Sequence, residues 1–150
     1  MEKETVLAAI DHAFGSLPRP KIMLNDPTHC EECEDHESVM QSVTPGTVSR
    51  NEIGNPGWDP ICYVSDETYA YFMPGFARLA LNESDHYAYL DQLFFHLGHT
   101  DRIAAMTPDQ RQAVRLLIDY LGDTLLDFIV NNGLEIDFDH VNANLAASSE

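Results

Sequence analysis

The stretch TPDQRQAVRLLIDYLGDTLLDFIV at residues 107–130 decides the fold class, because it has the pattern of a long amphipathic helix. Thr107 is a favourable N-cap residue, Pro108 suits the first helical position, and Gln110 can complete a capping box. Apolar side chains then recur at helical spacing on one face. They are Val114, Leu117, Ile118, Leu121, Leu125, Phe128 and Ile129.

Four further segments repeat apolar residues every three or four positions and predict four more helices. Capping residues and prolines give their approximate limits, which are Val6 to Leu17, Asp26 to Ser42, Ser65 or Asp66 to Leu81, and Ser84 or Asp85 to Gly98. Pro74 lies inside the third helix and should kink it. In the long helix we expect Gly122 to introduce a bend and Gly133 to end it. Residues 44–60 are rich in glycine and proline, which predicts a long irregular loop after the second helix.

These elements indicate an all-α fold of about five helices around one core. The chain has 150 residues, 44% of them apolar, which suits a single domain spanning residues 1–150. From about residue 143 the apolar periodicity is weak, so we expect a frayed tail. No apolar run approaches the ~18 residues that span a membrane, and no signal peptide is visible. We therefore predict a cytoplasmic protein that does not bind membranes.

Charge is the most unusual property of the composition. The chain holds 25 Asp and Glu residues against 8 Lys and Arg residues, a formal net charge of −17. Such a field repels nucleic-acid phosphates and anionic lipids, which argues against direct nucleic-acid binding. Two interpretations remain open, a surface that keeps the protein in solution or an immunity- or inhibitor-like surface that masks a basic protein partner. Because no complete catalytic signature is present, a non-enzymatic interaction protein is the leading hypothesis.

The segment HCEECEDHE at residues 29–37 is the strongest candidate for chemistry. If the second helix includes this segment, the potential ligands share one stripe of about 120°, formed by His29, Cys30, Cys33, His36 and Glu37. Thiolate and imidazole are usual zinc ligands, and structural zinc sites hold four ligands. A third cysteine in the following loop can complete the set. The predicted zinc ligands are therefore Cys30, Cys33, His36 and Cys62.

Two other interpretations of the cysteines stay open. Free cysteine is among the most buried residue types, so Cys30 and Cys33 can be small core residues with His36 hydrogen-bonded beside them. A CxxC pair at a helix start can instead carry redox chemistry, because the helix dipole lowers a thiol pKa. Acidic neighbours such as Glu31 and Glu32 act in the opposite direction, because they disfavour a thiolate. An odd count of three cysteines argues against a disulfide framework.

Four segments, in this order, also resemble an uncharacterised family of small bacterial proteins of unknown function. They are Cys30-x-Glu32-Cys33-x-x-His36, Trp58-x-Pro60 followed by Tyr63-Val64-Ser65-Asp66-Glu67, Tyr71-Phe72-Met73-Pro74-Gly75-Phe76, and Met106-Thr107-Pro108-Asp109-Gln110-Arg111-Gln112-Ala113-Val114. The segments span most of residues 1–125. The resemblance implies that the chain is one unit and of bacterial origin. It implies no activity and no catalytic residue.

Overall fold

The computed structural model of the chain describes residues 1–82 and 89–148. These residues form eight α-helices, which are α1 (Lys3–Phe14), α2 (Glu31–Gln41), α3 (Arg50–Ile53), α4 (Asp66–Ala80), α5 (Leu90–Gly98), α6 (Pro108–Thr124), α7 (Leu126–Asn131) and α8 (Glu135–Ser148). Two 3-10 turns, Pro56–Trp58 and Pro60–Cys62, lie between α3 and α4. The same residues contain no β-strand, and an isolated bridge joins Leu24 to Val64. The all-α prediction is confirmed, whereas the prediction of about five helices is wrong.

Helix α3 lies within the stretch predicted to be an irregular loop. Ser49 caps it, because the Ser49 side chain accepts a hydrogen bond from the backbone N–H of Asn51 at 3.2 Å. The Glu52 carboxylate accepts in return from the Ser49 backbone N–H at 3.1 Å. This capping box satisfies two backbone N–H donors at the N-terminus of a single helical turn. Apolar periodicity does not predict this helix, because it is short and lies among glycines and prolines.

The long helix predicted from residue 107 divides at Leu125, whose φ of −124° and ψ of 23° leave the helical range. The Thr124 hydroxyl donates to the backbone carbonyl of Tyr120 at 2.7 Å, a local bond that competes with the helical pattern. Gly122 lies before the break, inside α6. A Cβ at Gly122 would stand 2.9 Å from the ring of Phe138, so this glycine allows α8 to approach α6 closely.

The C-terminal segment also differs from the prediction of a frayed tail from about residue 143. Gly133 ends the preceding helical stretch as predicted, with a φ of 69°. Helix α8 then follows and buries Val141 and Leu145. The Asn144 amide donates to two carbonyls at the end of α5, at 2.9 and 3.0 Å. Because only two apolar side chains of α8 are buried, its sequence periodicity is weak.

The core is built mainly where α1 packs against α4 and α6, while α5 packs on α8. Helix α4 runs without interruption through Pro74. At the next residue, a Cβ on Gly75 would stand 2.5 Å from Val48 Cγ1 and 2.7 Å from the Pro45 carbonyl. The segment before α3 therefore lies directly on the α4 backbone.

The predicted helix starts are confirmed at two places that the structure describes. Ser65 caps α4 through Thr68 N–H at 3.1 Å, and Thr107 with Gln110 forms the predicted capping box of α6. The predicted cap of the fourth helix, Ser84 or Asp85, lies outside the described residues. No described helix has the length and apolarity needed to cross a membrane. The assignment of residues 1–150 to one domain stays a prediction.

Candidate metal centre

Helix α2 begins at Glu31, later than the predicted start at Asp26, so the predicted ligand stripe is not formed. Cys30 is the N-cap residue and is extended, with φ of −164° and ψ of 174°. His29 lies in the turn before it. The preceding chain is drawn into extended structure, since the Asn25 N–H donates to the Tyr63 carbonyl at 3.1 Å. The acidic residues at the start of α2 favour a helix N-terminus in this place.

Glu37 is fixed by structural hydrogen bonds, although the sequence places it on the predicted ligand stripe. Its carboxylate accepts from the backbone N–H of Met23 at 3.0 Å and of Leu24 at 3.1 Å. The Gln41 amide also donates to it, at 2.9 Å. These bonds tie the strand-like segment around residue 24 to α2. They thereby set the path of the chain that enters the cysteine pair.

The donor atoms of His29, Cys30 and Cys33 converge at the start of α2, and we call these three residues the CxxC centre. The two Sγ atoms are 3.5 Å apart, and His29 Nδ1 is 4.0 Å from Cys33 Sγ. All three donor atoms lie within 4.8 Å of one another. His29 and Cys30 are exposed, whereas Cys33 is buried. The centre therefore rests on the core through Cys33 and faces solvent through the other two residues.

The two thiols of the CxxC centre differ electrostatically. The backbone N–H of Cys33 lowers the pKa of Cys30, and the His29 side chain adds to this effect. Desolvation is the largest cause that raises the pKa of Cys33, and the neighbouring Cys30 side chain is the next. Glu32 and Asp26 raise the pKa of Cys33 further. The pKa of His29 is raised chiefly by its hydrogen bond with Cys30.

His36, a predicted ligand, lies apart from this group in an aromatic setting. It is fully buried, and its Nε2 is 3.2 Å from Glu32 Oε1. Its ring stacks on Tyr63 at a centroid distance of 5.3 Å and tilts against Trp58 at 4.9 Å. Both aromatic side chains are more than 40% exposed. In the structure His36 thus supports a surface aromatic pair, one helical turn after Glu32.

Cys62, the fourth predicted ligand, lies at the end of the second 3-10 turn, where its thiol groups with Asp59 and His96. Desolvation raises the pKa of Cys62, and Asp59 raises it further, while Arg102 opposes them. The four predicted ligands therefore occupy three surroundings, with Cys30 and Cys33 together and the other two elsewhere. Zinc binding itself stays a prediction.

Sequence reasoning missed two residues that have donor atoms in these groups, His96 and Asp59, and it left a third, His29, out of the predicted ligand set. His29 lies on the predicted stripe of potential ligands but is not among the four predicted zinc ligands, and in the structure the turn before α2 brings it to the cysteine pair. His96 follows Leu93 by three positions on the buried side of α5, which indicates a buried polar group but not its partner. Asp59 is 37 positions from His96 and pairs with it only through the fold.

Comparisons of this chain with protein-family models, with curated proteins and with solved structures found no match. The resemblance to a bacterial family stays a prediction.

Proposed function

We propose that the protein binds zinc, or a divalent ion with similar preferences, through His29, Cys30 and Cys33. The convergence of two sulfurs and one imidazole nitrogen carries this proposal. In a tetrahedral zinc site with Zn–S bonds of about 2.3 Å, two sulfurs lie about 3.8 Å apart. The two Sγ atoms here are 3.5 Å apart. The 4.0 Å between His29 Nδ1 and Cys33 Sγ is likewise close to the roughly 3.6 Å expected for such a nitrogen–sulfur pair.

Three protein ligands leave one coordination position of a tetrahedral ion for another donor. Structural zinc sites are usually closed by a fourth protein ligand, whereas sites with three ligands bind water or substrate in the fourth position. His29 and Cys30 are exposed, so the ion would be reached from solvent on their side. We therefore propose an open zinc site that can accept water or a donor group of a partner.

Acidic surroundings favour a cation at this position. Asp26 and Glu32 both raise the pKa of Cys33, which means that their negative charges disfavour its thiolate. A divalent ion offsets these charges, and it binds thiolates by displacing their protons. We therefore expect zinc binding at neutral pH to release protons and to strengthen as the pH rises.

Residue-resolved thiol protection tests the proposal directly. Metal-free, reduced protein is alkylated with and without equimolar zinc, and each cysteine is followed by mass spectrometry. We expect zinc to slow alkylation of Cys30 and Cys33, and the protection to weaken in His29→Gln. The matched control His12→Gln changes an exposed histidine of α1 and should leave it intact. Equal alkylation of both thiols with and without zinc would show that the CxxC centre binds no metal.

A specific observation favours a second candidate function, which is reversible dithiol–disulfide exchange. Cys30 is an exposed N-cap residue with a lowered pKa, and Cys33 lies behind it at 3.5 Å. Attack by the Cys30 thiolate on a disulfide of another molecule releases one thiol of that molecule. Cys33 then displaces the second thiol, which leaves a Cys30–Cys33 disulfide and two reduced thiols. Equilibration with glutathione redox buffers measures this directly, because a potential near the cellular range would support exchange.

A further inference from the structure

A second group of metal-binding side chains shares no residue with the CxxC centre. It consists of Asp59, Cys62 and His96, whose donor atoms all lie within 4.8 Å of one another. Asp59 caps the 3-10 turn that ends at Cys62, and His96 comes from α5. Asp59 and His96 are 5% and 1% exposed, while Cys62 is exposed. The group is therefore anchored in the interior and reaches solvent through its thiol.

Hydrogen bonds hold this group in place from both sides. Asp59 Oδ1 accepts from the Ile61 backbone N–H at 2.9 Å, and Asp59 Oδ2 accepts from the Gln92 amide at 3.2 Å. The buried Arg102 guanidinium donates to the backbone carbonyls on either side of Cys62, at residues 61 and 64, over 3.0 and 2.9 Å. Such outer hydrogen bonds are the usual means of orienting metal ligands.

The imidazole of His96 presents its Nε2 atom to the carboxylate of this group. Its Nε2 is 2.8 Å from Asp59 Oδ2, and its Nδ1 is buried with no hydrogen-bond partner among the described residues. An ion on Nδ1 would lie on the other side of the ring from Asp59 Oδ2, so Nε2 is the ring nitrogen that can face the same ion as Asp59. The ion would then take the place of the hydrogen bond between His96 Nε2 and Asp59 Oδ2.

A nearby positive charge would stabilise the buried carboxylate of Asp59. Its hydrogen-bond partners are the Ile61 backbone N–H, the Gln92 amide and the His96 ring. The first two are neutral, and a buried carboxylate is costly unless its charge is compensated. The Arg102 guanidinium forms its ion pair with Asp66, at 2.9 Å, and not with Asp59. A divalent cation beside Asp59 would compensate the buried charge.

We propose that Asp59, Cys62 and His96 form a second divalent-cation site, distinct from the CxxC centre. Oxygen, sulfur and nitrogen donors together suit zinc or cobalt better than magnesium or calcium, which prefer oxygen alone. When the ion binds, the Cys62 thiol loses its proton to solvent and the thiolate sulfur bonds to the metal. The structural alternative is that Asp59 only caps the 3-10 turn and pairs with His96. That alternative predicts no ion and no effect of Cys62.

Cobalt(II) is the probe of choice, because thiolate-to-cobalt absorption reports the number of bound thiolates. Wild type, two variants and the combination of those variants are dialysed against Co²⁺ after reduction, and the bound ions are counted. Wild type should hold about two ions per chain. Cys62→Ser should hold about one, with the stronger two-thiolate absorption of the CxxC centre. The His29→Gln/Cys30→Ser variant, which changes two exposed residues, should also hold about one, with a one-thiolate band removed by adding Cys62→Ser.

The same variants test the second site independently of the metal site proposed at the CxxC centre. If His29→Gln/Cys30→Ser binds no cobalt, or if its ion and band persist after Cys62→Ser, the second site is refuted while the first remains testable in Cys62→Ser alone. Asp59→Asn keeps the shape and capping oxygen of Asp59, and we expect it to weaken binding at least about tenfold in the same background. Unchanged affinity in a folded Asp59→Asn protein would also overturn the proposal.

Discussion

Replacing Glu37 with alanine should lower the free energy of unfolding by more than is usual for a single side chain on a helix surface. The carboxylate accepts two backbone N–H groups, from Met23 and Leu24, whose residues are 0% and 3% exposed. Each buried donor left without a partner costs about 1–3 kcal/mol. Two such donors give an expected loss of roughly 2–6 kcal/mol in the free energy of unfolding. Glu37→Gln keeps one acceptor oxygen, so we expect about half that loss.

Urea unfolding followed by circular dichroism measures these losses as a shift of the midpoint at constant slope. The matched control is Glu34→Ala, an exposed position on the same helix, where we expect a change within roughly 1 kcal/mol. If Glu37→Ala loses no more stability than Glu34→Ala, the segment around residue 24 is not held by this carboxylate. A second readout is faster alkylation of the buried Cys33, because release of that segment loosens the start of α2.

Three further predictions concern other parts of the molecule. In metal-free protein, alkylation of Cys30 should reach half its maximal rate at a lower pH than that of Cys33, because backbone and His29 hydrogen bonds lower the pKa of Cys30 while desolvation raises that of Cys33. A pH series read by mass spectrometry checks this, and an equal pH dependence would contradict it. Gly75→Ala should cost about 1–3 kcal/mol in urea unfolding, despite the higher helix propensity of alanine, because its Cβ would overlap Val48 and the Pro45 carbonyl. An unchanged or raised midpoint would show that the segment moves aside freely. The hypothesis of a basic partner, which rests on the net charge of −17, predicts capture that is lost as salt increases. Capture that does not depend on salt would argue against an electrostatic interface.

Local signals explain which parts of the fold can be predicted from the sequence. The capping residues Ser65 and Thr107 start helices where the sequence places them, because an N-cap bond joins residues three positions apart. Apolar periodicity does not predict the division of the helix at Leu125, because the apolar face continues across it. Only the hydrogen bond of the Thr124 hydroxyl marks the change. The predicted start of α2 at Asp26 is wrong because long-range hydrogen bonds override a local capping signal. Asp26 has the residue type of a cap, but long-range bonds to residue 63 hold the neighbouring chain extended.

The candidate sites divide in the same way between local and long-range information. Cys30 and Cys33 come together because a CxxC spacing spans one helical turn, so the sequence suffices to pair them. His29, which the sequence places on one stripe with them, joins them in the structure through the turn before α2. Asp59 and His96 lie far apart in sequence, and no spacing rule connects them. The assignment of Cys62 to the CxxC pair assumed that the irregular loop folds back to it, and the structure groups Cys62 with α5 instead.

The acidic composition and the cysteines, which appear as separate clues in the sequence, are linked by electrostatics. Burial is the largest cause that raises the pKa of both Cys33 and Cys62; Asp59 and then Glu32 raise that of Cys62 further, and Glu32 also raises that of Cys33. Burial and acidic neighbours together therefore favour the protonated thiols, which opposes their use as free nucleophiles. The same charges attract a divalent ion and are offset when it binds. Because metal-bound thiolates are held by the ion, zinc should also oppose formation of a Cys30–Cys33 disulfide. The two candidate functions of the CxxC centre thus compete, and the one favoured by acidic surroundings is metal binding.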